Sequence, residues 1–78
     1  MTSEVRVLLD TMQKVTEFCN ACQKHKGDVE VYSGRYVVNG KSIMGLYSLD
    51  LSVPVKVDFH DEVSKEVGKI VEKFRVED

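Results

Sequence analysis

The sequence predicts a small α+β domain, an antiparallel sheet of four strands with three helices on one face. Three observations predict it. Strand-type and helix-type segments succeed one another in the order β-α-β-β-α-β-α. The two long helical segments each carry one apolar stripe, which covers a sheet on one side only. The best-defined strand segments alternate apolar and polar side chains, as in a sheet with one face buried and one in water.

The elements follow in chain order. Glu4 to Leu8 alternates in polarity and reads as a half-buried strand. Asp10 and Thr11 supply cap-type side chains ahead of a helix from about Thr11 to Lys26. Met12, Val15, Phe18, Cys19 and Cys22 recur at three- and four-residue steps and so share its apolar face. Lys24, His25 and Lys26 place positive charge at the carbonyl end, and Gly27 is a good stop. Val29 to Tyr32 and Tyr36 to Val38 flank Ser33-Gly34 as a hairpin, and Asn39-Gly40 marks the exit from the second of these strands. Ser42 caps a short helix running to about Leu49. Pro54 introduces the fourth strand, Val55 to Phe59. A last helix, about Asp61 to Phe74, sets Val63, Val67, Ile70, Val71 and Phe74 on one stripe behind an acidic first turn. Gly68 weakens it by about 1 kcal/mol relative to alanine.

Composition narrows the functional classes. With 78 residues the chain makes one domain, spanning 1–78, with no repeats, linkers or low-complexity segments. A net charge of −2 and the scatter of Lys and Arg among acids exclude a nucleic-acid footprint. No apolar run approaches the roughly 20 residues of a membrane span, and Met1 leads straight into the first strand segment without a targeting pattern. Two cysteines make no secreted disulfide framework, so a cytoplasmic protein is expected. Cys19-Asn20-Ala21-Cys22 has CxxC spacing, but both thiols sit mid-helix on the apolar stripe, away from the helix start that would activate one. Zinc would need further ligands, and the two cysteines are read as small buried hydrophobes. His25 is read as a helix-end cation and His60 as a polar residue after the last strand. Asp58, Asp61 and Glu62 form an acidic corner, read as solvation and dipole complement rather than a metal site. No metal, no other cofactor and no enzymatic activity are expected.

The short helix carries the functional signal. Ile43, Met44 and Tyr47 exceed what one core stripe needs, because Leu46 and Leu49 already point inward. Flexible Met and amphipathic Tyr suit an adaptable docking face. Ser42 beside Lys41 stands at the helix start, where phosphate would meet free N–H groups; Ser42 is equally a plain cap.

The ten residues from Lys41 to Asp50, KSIMGLYSLD, resemble the regulatory-serine segment of the HPr family, the small phosphocarriers of the bacterial sugar phosphotransferase system. The element order is similar too, and the resemblance implies an open-faced β-sandwich. It also implies phosphorylation at Ser42 by a dedicated serine kinase, with Lys41, Ile43, Met44 and Tyr47 facing protein partners such as that kinase or a transcriptional regulator. The family's second signature, a Gly-Leu-His-Ala-Arg-Pro-Ala stretch, falls on Leu9-Asp10-Thr11-Met12-Gln13-Lys14-Val15. Thr11 stands where the phosphoryl-carrying histidine belongs, Gln13 where the arginine belongs and Lys14 where the proline belongs. The segment from Tyr32 to Lys41 is one residue longer than the family's, which leaves this register open by one position. No slip supplies an imidazole, because no histidine precedes His25. A threonine phosphoester is a poor phosphoryl donor, whereas phosphoimidazole is a good one. The resemblance thus implies a divergent relative without the carrier histidine, similar to catabolite-repression HPr homologues, acting as a regulatory or interaction module and existing as a monomer or weak dimer. A working phosphocarrier is the alternative.

Overall fold

A computed structural model describes residues 2–76. The order is β1 (Thr2–Val7), α1 (Met12–Lys24), β2 (Val29–Ser33), β3 (Tyr36–Asn39), α2 (Ile43–Tyr47), β4 (Val55–His60) and α3 (Lys65–Glu72). The four strands form one antiparallel sheet in the order β1-β4-β2-β3. Strand period fixes which side of each strand is dry. Val55, Val57 and Phe59 of β4 and Val29 and Val31 of β2 are buried under the helices, while Lys56, Asp58, His60, Glu30 and Tyr32 lie on the opposite, open face. Against that inner face α1 sets Val15, Phe18, Cys19, Ala21 and Cys22, all buried, and α3 adds Val67 and Val71. The expected antiparallel sheet with three helices is therefore present, and no helix among the described residues is long and apolar enough to cross a membrane.

Several boundaries differ from the sequence reading, each for a local reason. Met12 is 75% exposed rather than on the buried stripe. Helical side chains lean toward the N-terminus, so a side chain at the first helical position leans off the end of the core. The first helix stops at Lys24, and His25 turns to extended backbone (φ −77°, ψ 136°). The second helix stops at Tyr47, with Ser48 bonding back to Gly45 and Leu46. The last helix begins at Lys65, not Asp61: Asp61 takes a positive φ of 71°, and Ser64 is the cap, accepting from the Val67 N–H. Asp61 and Glu62 thus lie ahead of the helix rather than in its first turn, where Glu66 is the acidic residue. In the hairpin, the two-residue turn is Gly34-Arg35, with Ser33 opposite Tyr36. Gly34 has φ 59°, a conformation that glycine adopts without penalty.

The C-terminal segment closes the β1 edge: the Leu8 N–H donates to the Phe74 carbonyl and the Val76 N–H to the Arg6 carbonyl, both at 2.9 Å. The loop after α1 meets the end of β4 at closer range. A Cβ on Gly27 would lie 2.1 Å from the His60 carbonyl oxygen and 2.8 Å from its carbon, so only glycine fits. Gly27→Ala must push backbone apart and is expected to cost about 2 kcal/mol, a fall in Tm of roughly 10 °C. Gly34→Ala, which meets nothing within 4 Å, should cost about 1 kcal/mol through its positive φ alone. Thermal unfolding of the two variants tests the ranking, and equal midpoints would contradict it.

Candidate functional site

The start of α1 is built from Asp10, Thr11 and Lys14. Thr11 is extended (φ −132°, ψ 156°), and its Oγ1 accepts the Lys14 N–H at 3.2 Å. The hydroxyl expected at the histidine position is therefore a helix cap, as its residue type predicts. The Asp10 carboxylate takes the Lys14 ammonium at 2.9 Å, one turn along, and the hydrogen bond from that ammonium holds the Asp10 carboxyl below its ordinary pKa. An anionic side chain thus already stands at the positive end of the helix dipole, paired with Lys14, the residue that the resemblance sets against the family's proline. Gln13 is exposed and brings an amide in place of a guanidinium fork.

Neither histidine lies at this entrance. His25 sits at the other end of α1, about 20 Å away by helical rise. It is buried, at 4% exposed, rather than solvated at the helix end. Its Nε2 lies 2.5 Å from the His60 carbonyl oxygen, and its ring meets Phe59 edge-on at 5.4 Å. His60 belongs to β4 rather than following it, and its side chain contacts Glu30 on the open face at 2.7 Å.

The short helix α2 is set by its own cap and by Lys41. Ser42 is extended (φ −104°, ψ 114°), and its Oγ accepts the Gly45 N–H at 3.1 Å. Lys41 works in three directions. Its carbonyl accepts from Gln23 Nε2 at 3.1 Å and from the Cys19 thiol at 3.5 Å. Its N–H donates to Asn39 Oδ1 at 2.9 Å, and its ammonium donates to the His25 carbonyl at 2.7 Å. That ammonium neutralises the carbonyl end of α1. Lys41, expected on the partner-facing side, is thus half-buried and committed within the molecule. Sequence spacing could not reveal this, because its partners on and just after α1 lie 16 to 22 residues away.

With α2 held in this way, Leu46 is fully buried and Leu49 nearly so, whereas Met44 is 81%, Tyr47 46% and Ile43 37% exposed. The three side chains expected to form a docking face are all at the surface. Met12 is a further large exposed apolar side chain, at the start of α1.

The two cysteines are free and buried. Burial, with the neighbouring Cys19, pushes the Cys22 thiol up to about 12, and burial raises Cys19 as well. Thiols so disfavoured as thiolates are packing residues.

The comparisons with known proteins bear on this geometry. The fold matches HPr-C-His from Thermoanaerobacter tengcongensis with a TM-score of 0.74 and 24% identity, covering 91% of this chain and 88% of that one. It also matches the phosphocarrier protein HPr from Bacillus anthracis str. Ames with a TM-score of 0.70 and 18% identity, covering 95% of each chain. No family model and no curated protein matches the sequence. At these identities the likeness speaks for the fold, and the chain has the open-faced α+β sandwich of HPr proteins.

Proposed function

We propose that this chain is an HPr-like regulatory module of the sugar phosphotransferase system that binds proteins and does not carry phosphoryl groups. It docks its partners, such as a serine kinase or a transcriptional regulator, through Ile43, Met44 and Tyr47. Lys41 holds that face in place from within. Phosphorylation of Ser42 adjusts the docking, which itself needs no cofactor, and the module works in the cytoplasm without catalysis. The observation that carries this reading is the start of α1, where a threonine hydroxyl caps the helix and both histidines lie elsewhere. A carrier needs a nucleophile whose phosphoryl adduct is high in transfer potential, and a threonine ester is not. Asp10 adds repulsion where the phosphate would sit.

Ser42 offers a different chemistry. Its Oγ already faces the Gly45 N–H. A phosphate there exchanges a neutral acceptor for a charged one and leaves the cap in place. New negative charge beside Ile43, Met44 and Tyr47 then selects between partners by electrostatic complementarity.

A second reading, a transfer protein proper, draws on the fold shared with a structure described as a phosphocarrier. Incubation with Enzyme I and phosphoenolpyruvate separates the two. The regulatory reading expects no label on this chain, and stoichiometric acid-labile labelling would establish the carrier instead. Incubation with an HPr-type serine kinase and ATP should add one phosphate, located at Ser42 by mass spectrometry; a Ser42→Ala variant that labels equally ends that part of the reading. Tyr47→Ala should weaken partner binding by about 2 kcal/mol, roughly thirtyfold. It should leave stability within about 0.5 kcal/mol, because the side chain is exposed.

A further inference from the structure

The open face of the sheet holds a feature that the docking function does not use. Register places Glu4, Asp58 and Glu30 directly opposite one another across β1, β4 and β2. Three carboxylates in one cross-strand row repel one another unless something positive lies among them. Two of them have it: Lys56 lies 3.6 Å from Glu4, and His60 lies 2.7 Å from Glu30. Asp58, in the middle, is different. Its Oδ1 is cut off from solvent and has no hydrogen-bond partner among the described residues. A buried oxygen left unsatisfied costs on the order of 1–3 kcal/mol, so a positive group placed beside it is stabilising.

Asp58 does not stand alone. Glu30, Asp58 and His60 each bring one ligand atom to within 4.8 Å of the other two. The backbone dictates this meeting: Glu30 is the cross-strand partner of Asp58, and His60 follows Asp58 by one pleat on the same face. The side chains of His60 and Glu30 are 39% and 41% exposed, so the group is open to ions from solution. Two carboxylate oxygens and one imidazole nitrogen, completed by water, are a donor set for a divalent first-row metal. Metal–ligand bonds of about 2.0–2.2 Å put neighbouring donors roughly 3–4 Å apart, within reach by small side-chain rotations.

We propose that Glu30, Asp58 and His60 form a divalent transition-metal site on the open face of the sheet, with zinc its best-suited ion. His60 binds through Nε2, the nitrogen that now faces Glu30. The ion gives the unpartnered Oδ1 of Asp58 a ligand and offsets the repulsion along the row. Tyr32, whose hydroxyl reaches Glu30 Oε1 at 3.3 Å, steadies one ligand from outside. The site lies on the far side of the sheet from α2, so it neither requires nor excludes partner docking there.

Calorimetric titration of the intact chain with zinc chloride tests this, beside His60→Ala and Glu30→Gln. Both substitutions fall on the exposed face, and circular dichroism and thermal unfolding confirm that each variant is folded. The expected result is a single zinc ion per chain on the native protein, with affinity lost by at least roughly tenfold in each variant. Zinc-dependent NMR shifts should centre on β2 and β4. The proposal is overturned if the native chain takes up no zinc at millimolar concentration. It is equally overturned if both variants bind as the native chain does, with shifts centred on Cys19 and Cys22.

Discussion

The position of α2, and with it every surface property ascribed to that helix, depends on the fastening of Lys41. A five-residue helix is far below the length at which helices stand alone in water. It exists here because the chain leading into it is tied at three points. The Lys41 ammonium reaches the carbonyl of His25, the C-cap of α1; the Lys41 carbonyl takes Cys19 from the middle of α1 and Gln23 from its last turn, and the Lys41 N–H takes Asn39 from the end of β3. Ser42 then starts the helix, with its own N–H bonded to the Asn39 carbonyl at 3.0 Å. Leu46 enters the core, and a Cβ on Gly45 would stand only 3.4 Å from Val38, so the helix lies close against β3. Once those contacts are made, Met44 and Tyr47 have nowhere to point but outward.

The central strand β4 divides the molecule chemically. Its inner side, Val55, Val57 and Phe59, belongs to the core, and its outer side, Lys56, Asp58 and His60, belongs to a polar face. The two are joined at its end, where His60 bonds Glu30 through its ring while its carbonyl faces the buried His25. The bond to Glu30 raises the proton affinity of His60, and the same bond lowers that of Glu30. Folding thus favours the charged pair. In linkage terms the raised His60 value makes its stabilisation complete below the ordinary imidazole range and lost as pH rises through the folded value. The lowered Glu30 value makes its share present above the ordinary carboxylate range and lost as pH falls through its folded value. Both groups are well exposed, so solvent screening keeps each share small.

Local rules made most of the fold legible. Thr11, Ser42 and Ser64 are all of cap type, and each caps a helix; Ser64 alone is masked in the sequence, because Asp61 and Glu62 imitate an acidic first turn. The stripes of α1 and α3 and the alternation of β4 follow directly from residue order. What stayed hidden depends on partners far along the chain. His25 reads as a cation beside two lysines until β4 closes over it. Glu30, in the middle of a short apolar run, gains significance only when sheet pairing sets it opposite Asp58. Met12 fits the apolar spacing and fails at the helix end, where spacing alone does not register that the core has stopped.

Single exposed apolar side chains are ordinary on a protein of this size, so exposure alone is weak grounds for a docking face. The stronger ground is rigidity. A partner that binds a flexible loop must order it, at a cost that comes out of affinity. Here the supporting residues on both sides of Ile43, Met44 and Tyr47 are fixed: Leu46 is buried, Ser42 accepts the Gly45 N–H as the helix cap, and the Ser48 hydroxyl donates to the Gly45 carbonyl at 2.6 Å. The backbone under the patch is therefore fixed in place, so the proposed docking would not have to order it, and the exposed, unbranched Met44 suits partners of different shape. A short helix so thoroughly fastened keeps three apolar side chains in water where burying them would have stabilised the fold more, and that cost is what the proposed docking role would offset.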